Sequence, residues 1–158
     1  IIWDTVTDPV VSDSYVLQLA ANATRRAFSL DFIHYRQQLQ TASNDFTPGG
    51  WRYFLQALKK SSNLKTLIDL KMVSNATITG APQIIQKEIV DGRFAWKIRM
   101  PILVTYTNGK REIPTPLIIT LIVVRMPVQK DPARIAINNF LPVPQQSSAD
   151  QAIRGGTL

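Results

Sequence analysis

The chain has 158 residues, 45% of them hydrophobic and 18% charged, which is one domain's worth with enough apolar material for a core and excludes wholesale disorder. It contains no cysteine and one histidine, His34, which removes thiol nucleophiles, disulfides and cysteine metal sites and counts against most enzymology. A formal net charge of +7 leaves open an acidic partner, such as nucleic acid or an anionic membrane surface.

Residues 1–11 show little periodicity and contain Pro9, so they read as a lead-in or linker. Ser12 and Asp13 are good N-cap types. Val16, Leu19, Ala20, Ala23 and Ala27 then fall on one face of an amphipathic helix. A second stripe runs through Phe28, Phe32, Tyr35, Leu39, Ala42 and Phe46, displaced by one residue near 29–31. Either the helix bends there, or a new one starts with Ser29 or Asp31 as its cap. Thr47-Pro-Gly-Gly50 is a stop signal. Trp51, Phe54, Leu55 and Leu58 mark a short helix ending near Lys59 and Lys60. Ser61 or Ser62 can cap another turn or two, with Leu64, Leu67 and Ile68 on its apolar side.

The second half changes period. Every even position from Phe94 to Tyr106 is apolar, while Arg93, Lys97, Arg99 and Thr105 occupy odd ones. This predicts a long, half-buried antiparallel strand with one wet face. Pro101 on the wet side cannot donate to a ladder and predicts an edge position or a bulge, hence a curved sheet. Asp91-Gly92 before the strand and Asn108-Gly109 after it are type I′ hairpin signals. They predict a meander of strands near 83–90, 93–106 and 112–126, preceded by a weaker strand near 72–79 and followed by one near 134–140. The expected organisation is a linker over 1–11, an α+β domain over 12–141 and a flexible tail over 142–158, rich in Pro, Gln, Ser and Gly. The expected core includes Phe32, Tyr35, Leu39, Phe46, Trp51, Phe54, Trp96 and Met100.

No segment offers the roughly 20 apolar residues that span a bilayer. The most apolar run, 117–124, is bounded by Pro116 and Pro127 and reads as a buried strand. No signal peptide opens the chain. Because it begins at Ile1 and not at Met, it is expected to be an excised fragment whose upstream anchor or signal was cut away.

Candidate chemistry is sparse. Asp31 and His34, three apart on a helix, could form a general acid/base pair, but on the flank of a core stripe they read more simply as solvent-facing or capping groups. Trp51, Tyr53, Phe54 and Trp96 could line a ligand cavity, although such residues ordinarily form core. Arg93, Lys97 and Arg99 form a basic row on one strand face. A phosphate backbone would reward such a row. Phe94 and Trp96 point to the opposite face and cannot stack bases beside those charges, so an ordinary solvated or protein-contacting face is preferred to nucleic acid. The sequons at Asn22 and Asn75 are too common to carry meaning. No cofactor or metal is expected.

Several stretches, in order, resemble one known family. They are Phe28, Asp31, Phe32, Ile33, Tyr35, Arg36 and Leu39; the run 45–51 (Asp-Phe-Thr-Pro-Gly-Gly-Trp) with Phe54, Ala57 and Leu58; Gly92-Arg-Phe-Ala-Trp96 leading to Met100 and Pro101; Val124-Arg-Met-Pro127; and 135–140 (Ile-Ala-Ile-Asn-Asn-Phe). Together they resemble the DotI/IcmL family of inner-membrane components of Dot/Icm (type IVB) secretion systems, with relatives in conjugative transfer. The resemblance implies the periplasmic domain of a single-pass inner-membrane protein, with a nuclear-transport-factor-2-like α+β fold akin to the type IVA inner-membrane core subunit. It implies a non-catalytic role in assembling a machine that moves effector proteins or conjugative DNA. The implied partners are other subunits of the apparatus, a second copy of the chain, or a membrane-embedded paralogue.

Overall fold

In the computed structural model, which describes residues 11–126 and 134–145, four helices precede five strands. Helix α1 (Asp13–Phe28) starts at Ser12, whose Oγ accepts from the Tyr15 amide at 3.1 Å. Val16, Ala20, Ala23 and Ala27 are its fully buried stripe, and their small size lets the helix lie close on the sheet. The chain then breaks, so the one-residue displacement of the apolar stripe marks a new helix and not a bend. Asp31 accepts from the amides of Ile33 (2.8 Å) and His34 (2.6 Å), and α2 (Tyr35–Ala42) begins at His34. A 3₁₀ turn (Ser43–Asp45) follows.

Helix α3 (Pro48–Lys60) turns the Thr-Pro-Gly-Gly stop into a start as well. Thr47 Oγ1 accepts from the Gly50 amide at 3.0 Å, and Pro48 occupies the first turn, where a missing N–H costs nothing. Helix α4 (Asn63–Asp69) begins after Ser62, which is held in the left-handed region at φ 63°.

The strands are β1 (Val73–Ile78), β2 (Gln83–Val90), β3 (Arg93–Thr107), β4 (Glu112–Arg125) and β5 (Ile135–Pro144), all antiparallel to their neighbours. β3 is the spine. β4 pairs along one side of it, while β2 and β1 share the other side, opposite 93–99 and 102–107 respectively. Pro101 falls at the junction where β2 gives way to β1. It therefore lies inside a central strand yet leaves no ladder hydrogen bond unmade on that side. The expected bulge is not there; the two register shifts lie at Ile84/Gln86 and Ile122/Val123. The link between β1 and β2 crosses over this proline so closely that a Cβ on Gly80 would come within 2.7 Å of its ring.

Asp91 (φ 51°) and Gly92 (φ 77°) form the expected tight turn. The second turn differs. Thr107 pairs with Glu112, leaving a four-residue loop in which Asn108 Oδ1 accepts from the Lys110 and Arg111 amides at 3.0 and 2.9 Å. The asparagine side chain substitutes for a backbone turn. β5 also runs further than expected, pairing Pro142, Val143 and Pro144 with Ile119, Ile118 and Leu117. The rest of the expected tail and the linker up to residue 10 lie outside the described residues, while Val11 packs against the core.

One apolar core joins the helices to the inner face of the sheet. Phe28, Leu39, Phe46 and Phe54 share it with Trp96, Ile98, Met100, Ile102, Val104 and Tyr106. Phe32, Tyr35 and Trp51, placed in the core by their spacing, are instead half-buried at its margin.

Two devices tie the layers together. Ser74 on β1 is buried, donates to the Phe28 carbonyl and accepts from the Leu30 amide at 3.0 Å, so the strand holds the α1–α2 link. The start of α3 sits directly on β5: Thr47 N donates to the Ile137 carbonyl at 2.8 Å, and Thr47 Oγ1 donates to Asn138 Oδ1 at 2.9 Å. A Cβ on Gly50 would come within 2.5 Å of the Ile137 carbonyl oxygen, so glycine is required for the close approach.

Candidate protein-contact face

The alternation of β3 sends Arg93, Lys97 and Arg99 to the face of the sheet opposite the helices. The ladder places Lys97 between Gln86 on β2 and Ile122 on β4, and Arg99 between Gln83 and Thr120. Arg93 lies opposite Val90, and its Nη1 donates to Met126 Sδ at 3.4 Å. Arg99 is exposed, while Arg93 and Lys97 are half-buried. Glu88, opposite Ala95, is the one carboxylate that β2 sends to this face, and it accepts from Gln86 Nε2 at 3.0 Å. Among the described residues none of the three cations forms an ion pair. Other basic residues are spent within the fold, as in Arg26–Asp45 and Lys87–Asp13, both at 2.9 Å.

The same face has an apolar half that the strand pattern did not reveal. Beyond Arg99, β3 presents Pro101 and Leu103, β4 presents Ile118, and β5 presents Leu141 and Val143, the last two 45% and 44% exposed. The clue was in the run 117–124. An apolar residue at every position but one means that both faces of β4 are apolar, and only one of them can meet the helices.

The remaining candidates lie elsewhere in the domain. Asp31 and His34 do meet, with Nδ1 at 3.1 Å from both carboxylate oxygens, but the imidazole is mostly exposed. The carboxylate also accepts from Gln38 Nε2 at 3.2 Å. The backbone amide of His34, ahead of the other contacts, holds the Asp31 carboxyl below its usual value of 3.8. Asp31 is a turn device that leads the chain into α2.

Phe54 and Trp96 are fully buried. The Phe54 ring packs on Phe140 (5.0 Å), Trp51 (5.5 Å), Phe28 (5.6 Å) and Phe46 (5.7 Å), so aromatic packing occupies the space between α3 and the sheet. Tyr53 points outward. Phe94 and Trp96 stack edge to face at 4.9 Å, and Trp96 is wholly within the core, away from the basic row. Among the described residues no cluster of three or more His, Asp or Glu is placed to hold a metal ion, and no helix is long and apolar enough to cross a membrane.

Comparison with known proteins agrees with this architecture. Residues 3–144 match a family model described as a type IVb secretion system inner-membrane complex component, DotI/IcmL. The periplasmic domain of DotI superposes with a TM-score of 0.82 at 39% identity, over 86% of this chain and 98% of that one. A periplasmic fragment of TraM gives 0.77 at 24% identity, over 85% and 98%. CagV, a VirB8 homologue from Helicobacter pylori strain 26695, gives 0.64 at 13% identity over 85% and 100%, a likeness of fold alone. No curated protein matches the sequence.

Proposed function

The chain belongs to the DotI/IcmL family of type IVB secretion inner-membrane complex components, and from that membership we propose that it is the periplasmic, non-catalytic scaffold of such a complex. The observation that carries this reading is the 39% identity to the DotI periplasmic domain across 86% of the chain. In this reading the full protein is anchored in the inner membrane by a single span. The domain supports assembly of an apparatus that translocates effector proteins or conjugative DNA. The outer sheet face is its contact surface: Arg93, Lys97 and Arg99 meet an acidic face of another subunit, and Pro101, Leu103, Ile118, Leu141 and Val143 supply apolar area beside them. Like charges on a self-complementary patch repel, which favours a different subunit over a second copy at this face.

The test is charge reversal in the full-length protein. Arg93→Glu with Lys97→Glu should reduce co-purification with the other subunits and reduce translocation, while the protein stays folded and membrane-associated. Normal co-purification by the doubly reversed protein would remove this face from the proposal. His34→Ala should leave translocation intact; its loss from a stable, correctly located variant would return the domain to the enzyme class.

A further inference from the structure

The helical side of the domain carries a second recessed surface. It is a groove of about 400 Å³ with α2 on one side and α3 and α4 on the other. Leu39, Trp51, Leu55 and Leu64 line it, Leu39 buried and the other three half-buried. Arg36 and Lys59 stand at its margins, and the Arg36 guanidinium is held 5.0 Å over the Tyr35 ring. No carboxylate lines the groove. The surrounding sequence is mostly basic: from the start of α2 to the end of α4, residues 35–69 contain Arg36, Arg52, Lys59, Lys60 and Lys65 against Asp45 and Asp69. Asp45 is already paired with Arg26. Among the described residues neither Arg36 nor Lys59 has an acidic partner.

We propose that this groove docks an acidic amphipathic helix from a partner protein, its apolar stripe seated on Leu39, Trp51, Leu55 and Leu64 and its carboxylates meeting Arg36 and Lys59. A recessed apolar floor between helices suits the i, i+3, i+4, i+7 side chains of an incoming helix. Cations at the margins with no internal carboxylate select an acidic partner and repel a basic one. A lipid surface would instead call for apolar groups that protrude, and here they are recessed. The site lies on the opposite side of the sheet from Arg93, Lys97 and Arg99. One domain can therefore hold two partners at once, which goes beyond a single scaffold contact and does not depend on it.

The probe is a fluorescein-labelled amphipathic peptide of about 16 residues, with Leu and Phe on one face and Glu on both flanks, compared with a counterpart carrying Lys in place of Glu. Anisotropy titration with the 158-residue chain should show the Glu peptide binding at least about tenfold more tightly than the Lys peptide. Lys59→Glu should weaken Glu-peptide binding about tenfold, and clearly more than Arg99→Glu on the sheet face does. Leu55→Glu should abolish it, with a thermal melt to check folding; the exposed Lys59 variant keeps the test valid if the Leu55 variant does not fold. Equal binding of the two peptides, or binding indifferent to Lys59→Glu, overturns the proposal. So does Lys59-dependent binding to phosphatidylglycerol vesicles without peptide binding, which would assign the surface to the membrane.

Discussion

The two faces of β3 share one backbone and answer to different constraints. On the inner face Trp96, Ile98, Met100, Ile102 and Val104 are wholly excluded from solvent and belong to one apolar cluster with residues of all four helices. On the outer face Arg93, Lys97, Pro101 and Leu103 are half-buried and Arg99 is exposed, and the described helices pack on the other face. A volume change on the first face has no room to relax. A charge change on the second is solvated by water. The even positions of the strand thus carry stability and the odd ones the proposed contact, and substitution can separate the two.

The largest effect is expected at Trp96. Trp96→Ala should cost about 3–5 kcal/mol in denaturant unfolding, the range of large aromatic truncations in cores. Trp96→Phe should cost clearly less. It keeps one ring and removes the indole Nε1, a buried donor with no hydrogen-bond partner among the described residues. A Trp96→Ala loss of under about 1 kcal/mol would break the contrast between the faces.

Next comes the place where α3 meets β5. Gly50→Ala should cost about 1–3 kcal/mol by the same measurement, because the added methyl meets backbone that cannot step aside. The outer glycine turn at Gly109, where a Cβ would meet nothing within 4 Å, lacks any such collision.

Tyr106, near the end of the inner row, extends the comparison to pH. Burial pushes its phenol up from 10.0 to about 12, opposed by the Asn63 side chain. A raised folded value means that the neutral phenol's contribution is complete below pH 10 and is lost as pH rises towards 12. Tyr106→Phe should therefore flatten the fall in melting temperature across that interval, and an unchanged alkaline arm would show that other groups control it.

The smallest effect on stability is expected on the outer face. Arg93→Glu with Lys97→Glu should move unfolding free energy by no more than about 0.5 kcal/mol per site, while assembly of the complex is impaired. A loss comparable to Gly50→Ala would mean that the basic row is structural.

Much of this arrangement was legible residue by residue, because it is set locally. The even-position alternation of 94–106, the Asp91-Gly92 turn and the capped start of α1 follow from side-chain period, backbone handedness and hydrogen-bond chemistry within a few residues. The sequence alone therefore determined a helical half, a β half and the central strand that unites them. Only tertiary structure decided what depends on distant partners. Pro101 is tolerated in a central strand because β1 and β2 divide the edge beside it, a pairing no local pattern encodes. Phe32, Tyr35 and Trp51 share spacing with true core residues but are only partly buried at the margin of the cluster, so period alone could not tell margin from centre. The outer apolar half and the cationic groove were hidden for the same reason: their residues come from separate elements and become one surface only after the core has closed.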